Sequence, residues 1–96
     1  MKAEIRLLVK QNLSIGNVKT IKDQEIEMWI NAGIEDLKRQ GIKINLENAL
    51  IQSAIVMYVK SNFGNVDLNE KDRAQITYNL LCNSLGLSSD YKEVDN

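Results

Sequence analysis

The chain has 96 residues, 44% hydrophobic and 26% charged, with a formal net charge of −1 and neither proline nor histidine. That length supports one domain whose core holds without staples, and near-neutrality removes the global field that would draw nucleic acid or an anionic membrane. Cys82 is the only cysteine, which excludes an intramolecular disulfide and suits a reducing compartment. The absence of histidine removes the commonest general base and transition-metal ligand at neutral pH. No apolar run approaches the ~20 residues of a membrane span, and residues 1–22 lack the apolar heart of a signal peptide. The expectation is a soluble, cytoplasmic protein with no membrane partner.

From residue 1 to about residue 13, Ile5, Leu8, Val9 and Leu13 form an amphipathic pattern, with Lys2, Glu4, Arg6 and Lys10 on the other side. This predicts a first helix. Ser14-Ile15-Gly16-Asn17 is turn chemistry, and Thr20-x-x-Asp23 resembles a capping box. Ile26, Trp29, Ile30, Gly33, Ile34 and Leu37 then follow the i, i+3, i+4, i+7 template of a second helix. Its acids (Asp23, Glu25, Glu27) stand at the start and Lys38 and Arg39 at the end, complementing the helix dipole. Glu35 and Arg39 are spaced for an i,i+4 ion pair, and Gly41 is a left-handed stop. Gly33 on the buried stripe costs about 1 kcal/mol relative to alanine. Close approach of the next helix at its small residues Ala49, Ser53 and Ala54 would compensate.

Ile42-Lys43-Ile44 alternates as a short extended link. Residues 45–63, NLENALIQSAIVMYVKSNF, are apolar most of the way round. Leu46, Ala49, Leu50, Ala54, Met57 and Tyr58 mark one face, and Ile51, Ile55, Val59 and Phe63 another. Such a helix is buried, so it is expected to be the central post, capped by Asn45 and closed by Gly64-Asn65. Asp67 or Asn69 caps a fourth helix, in which Ala74, Tyr78, Leu81 and Leu85 form a stripe with Ile76 and Leu80 beside it. Gly86 is expected to end that helix and Leu87 to fold back over its last turn.

The fold class is therefore all-α: a compact bundle of about four helices around the central apolar helix. Residues 1–87 read as one helical domain and residues 88–96 as a flexible acidic tail. The expected core is Ile26, Trp29, Ile30, Gly33, Ile34, Leu37, Leu50, Ala54, Met57, Tyr58, Tyr78 and Leu81.

No reaction chemistry assembles from these residues. The five glycines are isolated, so there is no phosphate-cradling loop, and no CxxC or HExxH spacing occurs. Asp67, Asn69 and Glu70 lack the spacing of a calcium loop. The carboxylates of Glu25 with Glu27, or Glu35 with Asp36, project in different directions from a helix. Cys82 has no histidine to activate it and reads as a small core residue. Catalytic, cofactor-binding and metal-binding residues are accordingly none, and an enzyme is not expected. A small helical DNA-binding regulator is the alternative. It would need a basic recognition helix, yet the helix after Gly41 carries only Lys60, late, and the fourth opens with Asp67, Glu70 and Asp72. Charge is segregated along the chain: residues 1–22 and 37–64 are net basic, residues 23–36 and 65–96 net acidic. Such blocks serve either as solvated helix faces or as unlike patches on neighbouring copies.

Three stretches resemble the small head-tail connector (adaptor) family of long-tailed bacteriophages, often labelled DNA-packaging proteins. They are DQEIEMWINAGIEDLKRQGI (residues 23–42), ALIQSAIVMYVKSNFGN (residues 49–65) and ITYNLLCNSLGL (residues 76–87). Family members commonly carry a Pro-Gly step before the last helix, where this chain has NEKDRAQ. The resemblance implies a structural subunit, assembled in the bacterial host cytoplasm and placed in the virion neck. It implies a homo-oligomeric ring between the portal protein and the stopper or tail-completion protein. Packaged DNA would pass through that ring without sequence-specific binding, and neither metal nor nucleotide cofactor is implied. On this reading the contacts between subunits or with partners fall on Arg6 and Lys10, on Glu25, Glu27 and Glu35, and on Tyr91.

Overall fold

The computed structural model describes residues 2–12, 23–62 and 68–87, which form four helices: α1 (Lys2–Asn12), α2 (Asp23–Arg39), α3 (Ala49–Asn62) and α4 (Leu68–Leu87). The protein is an all-α bundle. α3 touches α1, α2 and α4, and α1 also meets α2. The reason lies in its composition. Ile51, Ala54, Ile55 and Val59 are fully buried and Val56 nearly so, which lets one helix offer apolar surface to three neighbours. Ile5 and Val9 of α1, Ile26, Ile30, Ile34 and Leu37 of α2, Ile42, and Tyr78, Cys82 and Leu85 of α4 complete one continuous core. Trp29, Met57, Tyr58 and Leu81 are half-buried and pack against it.

α2 ends as its sequence dictates. Gly41 adopts φ +80°, its N–H donates to the Lys38 carbonyl at 2.9 Å, and the Ile42 N–H donates to the Leu37 carbonyl at 3.0 Å. That is a Schellman turn, and both Leu37 and Ile42 are fully buried beneath it. Lys43 is exposed and Ile44 half-buried, so the link alternates as expected.

Several expectations need correction. The cap of α3 is Asn48, whose Oδ1 accepts from the Leu50 and Ile51 N–H groups at 2.9 and 3.2 Å. Asn45 instead closes a turn: its Oδ1 accepts from Glu47 N–H and its carbonyl from Asn48 N–H, both at 3.0 Å. The helix therefore starts four residues later than expected. Leu50, expected in the core, lies in the first turn on the side of α3 away from the buried Ile55 and Val59 and is 44% exposed, and Ala49 is exposed as well. Gly33 does face α3, but its neighbour is the ring of Tyr58, whose Cδ1 would lie 3.1 Å from an added Cβ. The missing side chain thus makes room for a large residue, not for the small ones.

At the far end, Gly86 lies within α4, which runs on to Leu87. With no left-handed turn there, Leu87 stays 89% exposed and does not fold back. Asn69 also lies inside α4. Leu13, the turn at residues 14–17, Thr20, Phe63, Gly64-Asn65, Asp67 and the tail of residues 88–96 with Tyr91 lie outside the described residues.

Candidate assembly surfaces

Two polar clusters and two apolar surfaces stand out on this frame. Near the C-terminal end of α2, Asp36 accepts three hydrogen bonds: from the Tyr78 hydroxyl of α4 at 2.5 Å, from Arg39 Nη2 at 2.5 Å and from Gln40 Nε2 at 2.9 Å. Tyr78 is 3% exposed. Burial by itself would push the Asp36 carboxyl up, but these donors outweigh it and hold it below the ordinary carboxylate range. The same environment pushes the Tyr78 phenol far up, first through burial and then through its bond to Asp36. Burial likewise raises the Cys82 thiol, against the opposing influence of Tyr78 and Gln40. A protonated phenol facing an ionised carboxylate is a strong positioning contact. The one nucleophilic group beside it among the described residues is the Cys82 thiol, which is buried and held in its protonated form by that burial.

In the sequence Asp36 is weighed only as half of a carboxylate pair with Glu35, and its bond to Tyr78 is not expected. Arg39 and Gln40 at i+3 and i+4 are a readable local signal, but the tyrosine 42 residues away is brought in only by the fold. It also redirects the expected ion pairs, because Arg39 is taken by Asp36 and not by Glu35. Glu35 meets Lys38 instead, at 3.9 Å. Above Asp36 the ring of Tyr78 stands edge-on to Tyr58 at 5.3 Å, and Tyr58 is tilted against Trp29 at 6.5 Å. These contacts tie α4, α3 and α2 into one aromatic row.

The second polar cluster joins the two expected interface helices within the chain. Arg6 Nη1 lies 3.2 Å from Glu27 Oε1, the two side chains being 31% and 45% exposed. Lys10 of α1 is half-buried, whereas Glu25 and Glu35 of α2 are exposed. The structure thus brings together Arg6 and Glu27 and leaves Glu25 and Glu35 toward solvent.

The apolar surfaces were not anticipated as such. A groove beside α2 is lined by Asn31, Ile34, Glu35 and Lys38 with Ile44 and Leu46 of the link. On α4, Ile76, Leu80 and Leu87, expected beside or over the core, are 59%, 63% and 89% exposed. They share one face of the helix, opposite the buried Tyr78 and Leu85.

Among the described residues, no group of three or more His, Cys, Asp or Glu side chains gathers as a metal site, and no helix is long and apolar enough to cross a membrane. Comparison with curated proteins and with solved structures finds no match. The family described as phage connector protein matches residues 7–92, a span that runs from within α1 to beyond the end of α4. With nearly the whole helical bundle inside that match, the chain belongs to the phage connector protein family.

Proposed function

We propose that this connector is a structural subunit of the neck of a tailed bacteriophage or prophage. Copies of it form a ring between the portal protein and the stopper or tail-completion protein, and packaged DNA passes through the centre. Assembly takes place in the cytoplasm of the bacterial host. The observation that supports this reading is the family match over residues 7–92, which gives the chain a connecting role among phage head and tail proteins. The described surface agrees with a role in contact, since its organised features are an apolar groove, an apolar stripe and exposed acids. Neither the family match nor α3 favours the DNA-binding alternative: the helix that follows the Gly41 turn devotes Ile51, Ala54, Ile55, Val56 and Val59 to the core.

The polar contacts proposed for the ring or its partners involve Arg6, Lys10, Glu25, Glu27, Glu35 and Tyr91. Because Glu27 already holds Arg6, Glu25 and Glu35 are the cleaner probes. A phage or prophage with a stop codon in this gene is expected to accumulate filled heads and separate tails under the electron microscope. Joined, infectious particles from that mutant would overturn the reading.

A further inference from the structure

The α4 stripe and the α2 groove have a definite relation to one another. On α2, Gly33 faces Tyr58 and Asp36 receives Tyr78, so α4 lies toward that side. At 3.6 residues per turn, the groove positions Asn31, Ile34 and Lys38 fall roughly half a turn round the helix from Trp29 and Asp36. On α4, Ile76, Leu80 and Leu87 likewise fall opposite Tyr78 and Leu85, which face inward. The groove and the stripe therefore point away from each other, on opposite sides of the molecule.

Each surface is apolar with a polar rim. The groove has Ile34, Ile44 and Leu46 at its floor, with Glu35 and Lys38 at its edge. The stripe has the exposed Asp72 and Arg73 one turn before Ile76. Glu35 and Lys38 touch only at 3.9 Å, and their side chains are 75% and 54% exposed, so either can turn to a new partner with little loss. An acid and a base on one rim can meet a base and an acid on the other.

We infer that the α4 stripe of one copy seats in the α2 groove of the next, with Asp72 meeting Lys38 and Arg73 meeting Glu35. This rests on the connector reading for its occupant, a second copy of this chain. Two unlike surfaces on opposite sides make a heterologous contact, which propagates head-to-tail and closes into a ring where the rotation allows. The stripe supplies the buried apolar anchors, and the charges fix which way the neighbour lies.

The test is sedimentation velocity on the full chain from micromolar to millimolar concentration, with helicity followed by circular dichroism. Wild-type protein is expected to assemble with rising concentration. Ile76→Gln with Leu80→Gln, both at exposed positions, should keep its helicity and raise the assembly midpoint at least about tenfold, the scale of losing a buried interface anchor. Lys38→Glu and Asp72→Lys should each weaken assembly, and the two together should restore it. Two results overturn the inference. One is a wild-type chain that stays monomeric throughout; the other is assembly that ignores both the glutamine pair and the charge swap. Either would leave the connector reading standing, because that reading is decided separately by whether heads and tails join in the stop-codon phage.

Discussion

On α2, Ile26, Ile30, Ile34 and Leu37 fall along one stripe, each no more than 8% exposed, and Met28 is the one large apolar side chain turned well out. On α4, Ala74, Tyr78, Cys82 and Leu85 face inward while Ile76, Leu80 and Leu87 face outward, more than half exposed. A single stripe is fully used by the core of its own chain. A second stripe on the same helix is surplus to that core, and a run of exposed apolar side chains on one face is a candidate contact surface. The contrast separates an apolar face that the bundle uses to fold from one that it leaves in solvent.

The largest expected effect tests the inward side of that contrast. Leu37 on α2 is fully buried and sits under the Schellman turn with Ile42. Leu37→Ala removes its contacts and leaves a cavity, so it should cost about 3 kcal/mol of stability in urea unfolding. A loss below about 1 kcal/mol would mean that the end of α2 collapses around the gap, and that its stripe is less fixed than its burial implies.

A second, smaller effect concerns the bond that joins the two helices. Tyr78→Phe keeps the aromatic row and removes only the hydroxyl bound to Asp36, so it should cost about 1.5 kcal/mol, the scale of a hydrogen bond to a charged group. The same bond predicts a pH dependence. The Asp36 carboxyl is held below its ordinary value of 3.8 in the folded chain. The unfolded chain therefore takes up the proton first on acidification. Its stabilising contribution is complete above that value and is lost as pH falls from there through the folded one. Thermal melts of wild type should lose stability below about pH 4 more steeply than those of Asp36→Asn, which cannot titrate. Parallel slopes would mean that Asp36 is not the group responsible.

The loop after α2 gives a third effect, near 1 kcal/mol. Gly41 at φ +80° has nothing within 4 Å of an added Cβ, so Gly41→Ala meets backbone strain and no clash. The expected cost is about 1 kcal/mol by chemical denaturation, from the left-handed conformation alone. A neutral result would show that the Schellman turn can relax without disturbing Leu37 and Ile42.

These three sites also show how far residue pattern carries. The stripe of α2, its stop at Gly41 and the apolar character of α3 were legible because each is a local, repeating signal within one segment. The start of α3 was not. Asn45 and Asn48 are both competent caps, and only the turn from Asn45 to Asn48 decides between them. The inward face of α4 was only partly legible, because Ile76 and Leu80 are as apolar as Leu81 and Leu85, and periodicity cannot say which of two stripes meets a neighbour. The Asp36 cluster and the groove depend on residues from separate segments brought together by packing. Among the expected contact residues, Arg6 and Glu27 were picked for opposite charge, and that charge first joins them to each other.

The smallest expected effect on folding is also the sharpest test of the contrast. Leu80 is 63% exposed on α4, and glutamine has nearly the helix propensity of leucine. Leu80→Gln should therefore change monomer stability by no more than about 0.5 kcal/mol, the range of an ordinary surface substitution. The same change at a residue of the inner stripe, Leu85→Gln, would bury an amide without a partner at a site 1% exposed and should cost several times more. If Leu80→Gln proved as damaging as Leu85→Gln in the isolated chain, the outer stripe would belong to the core, and the division between folding face and contact face on α4 would fail. If the substitution is neutral in the monomer, the stability of the bundle does not explain the leucine at that position, and the assembly test on Ile76 and Leu80 becomes the one that decides its role.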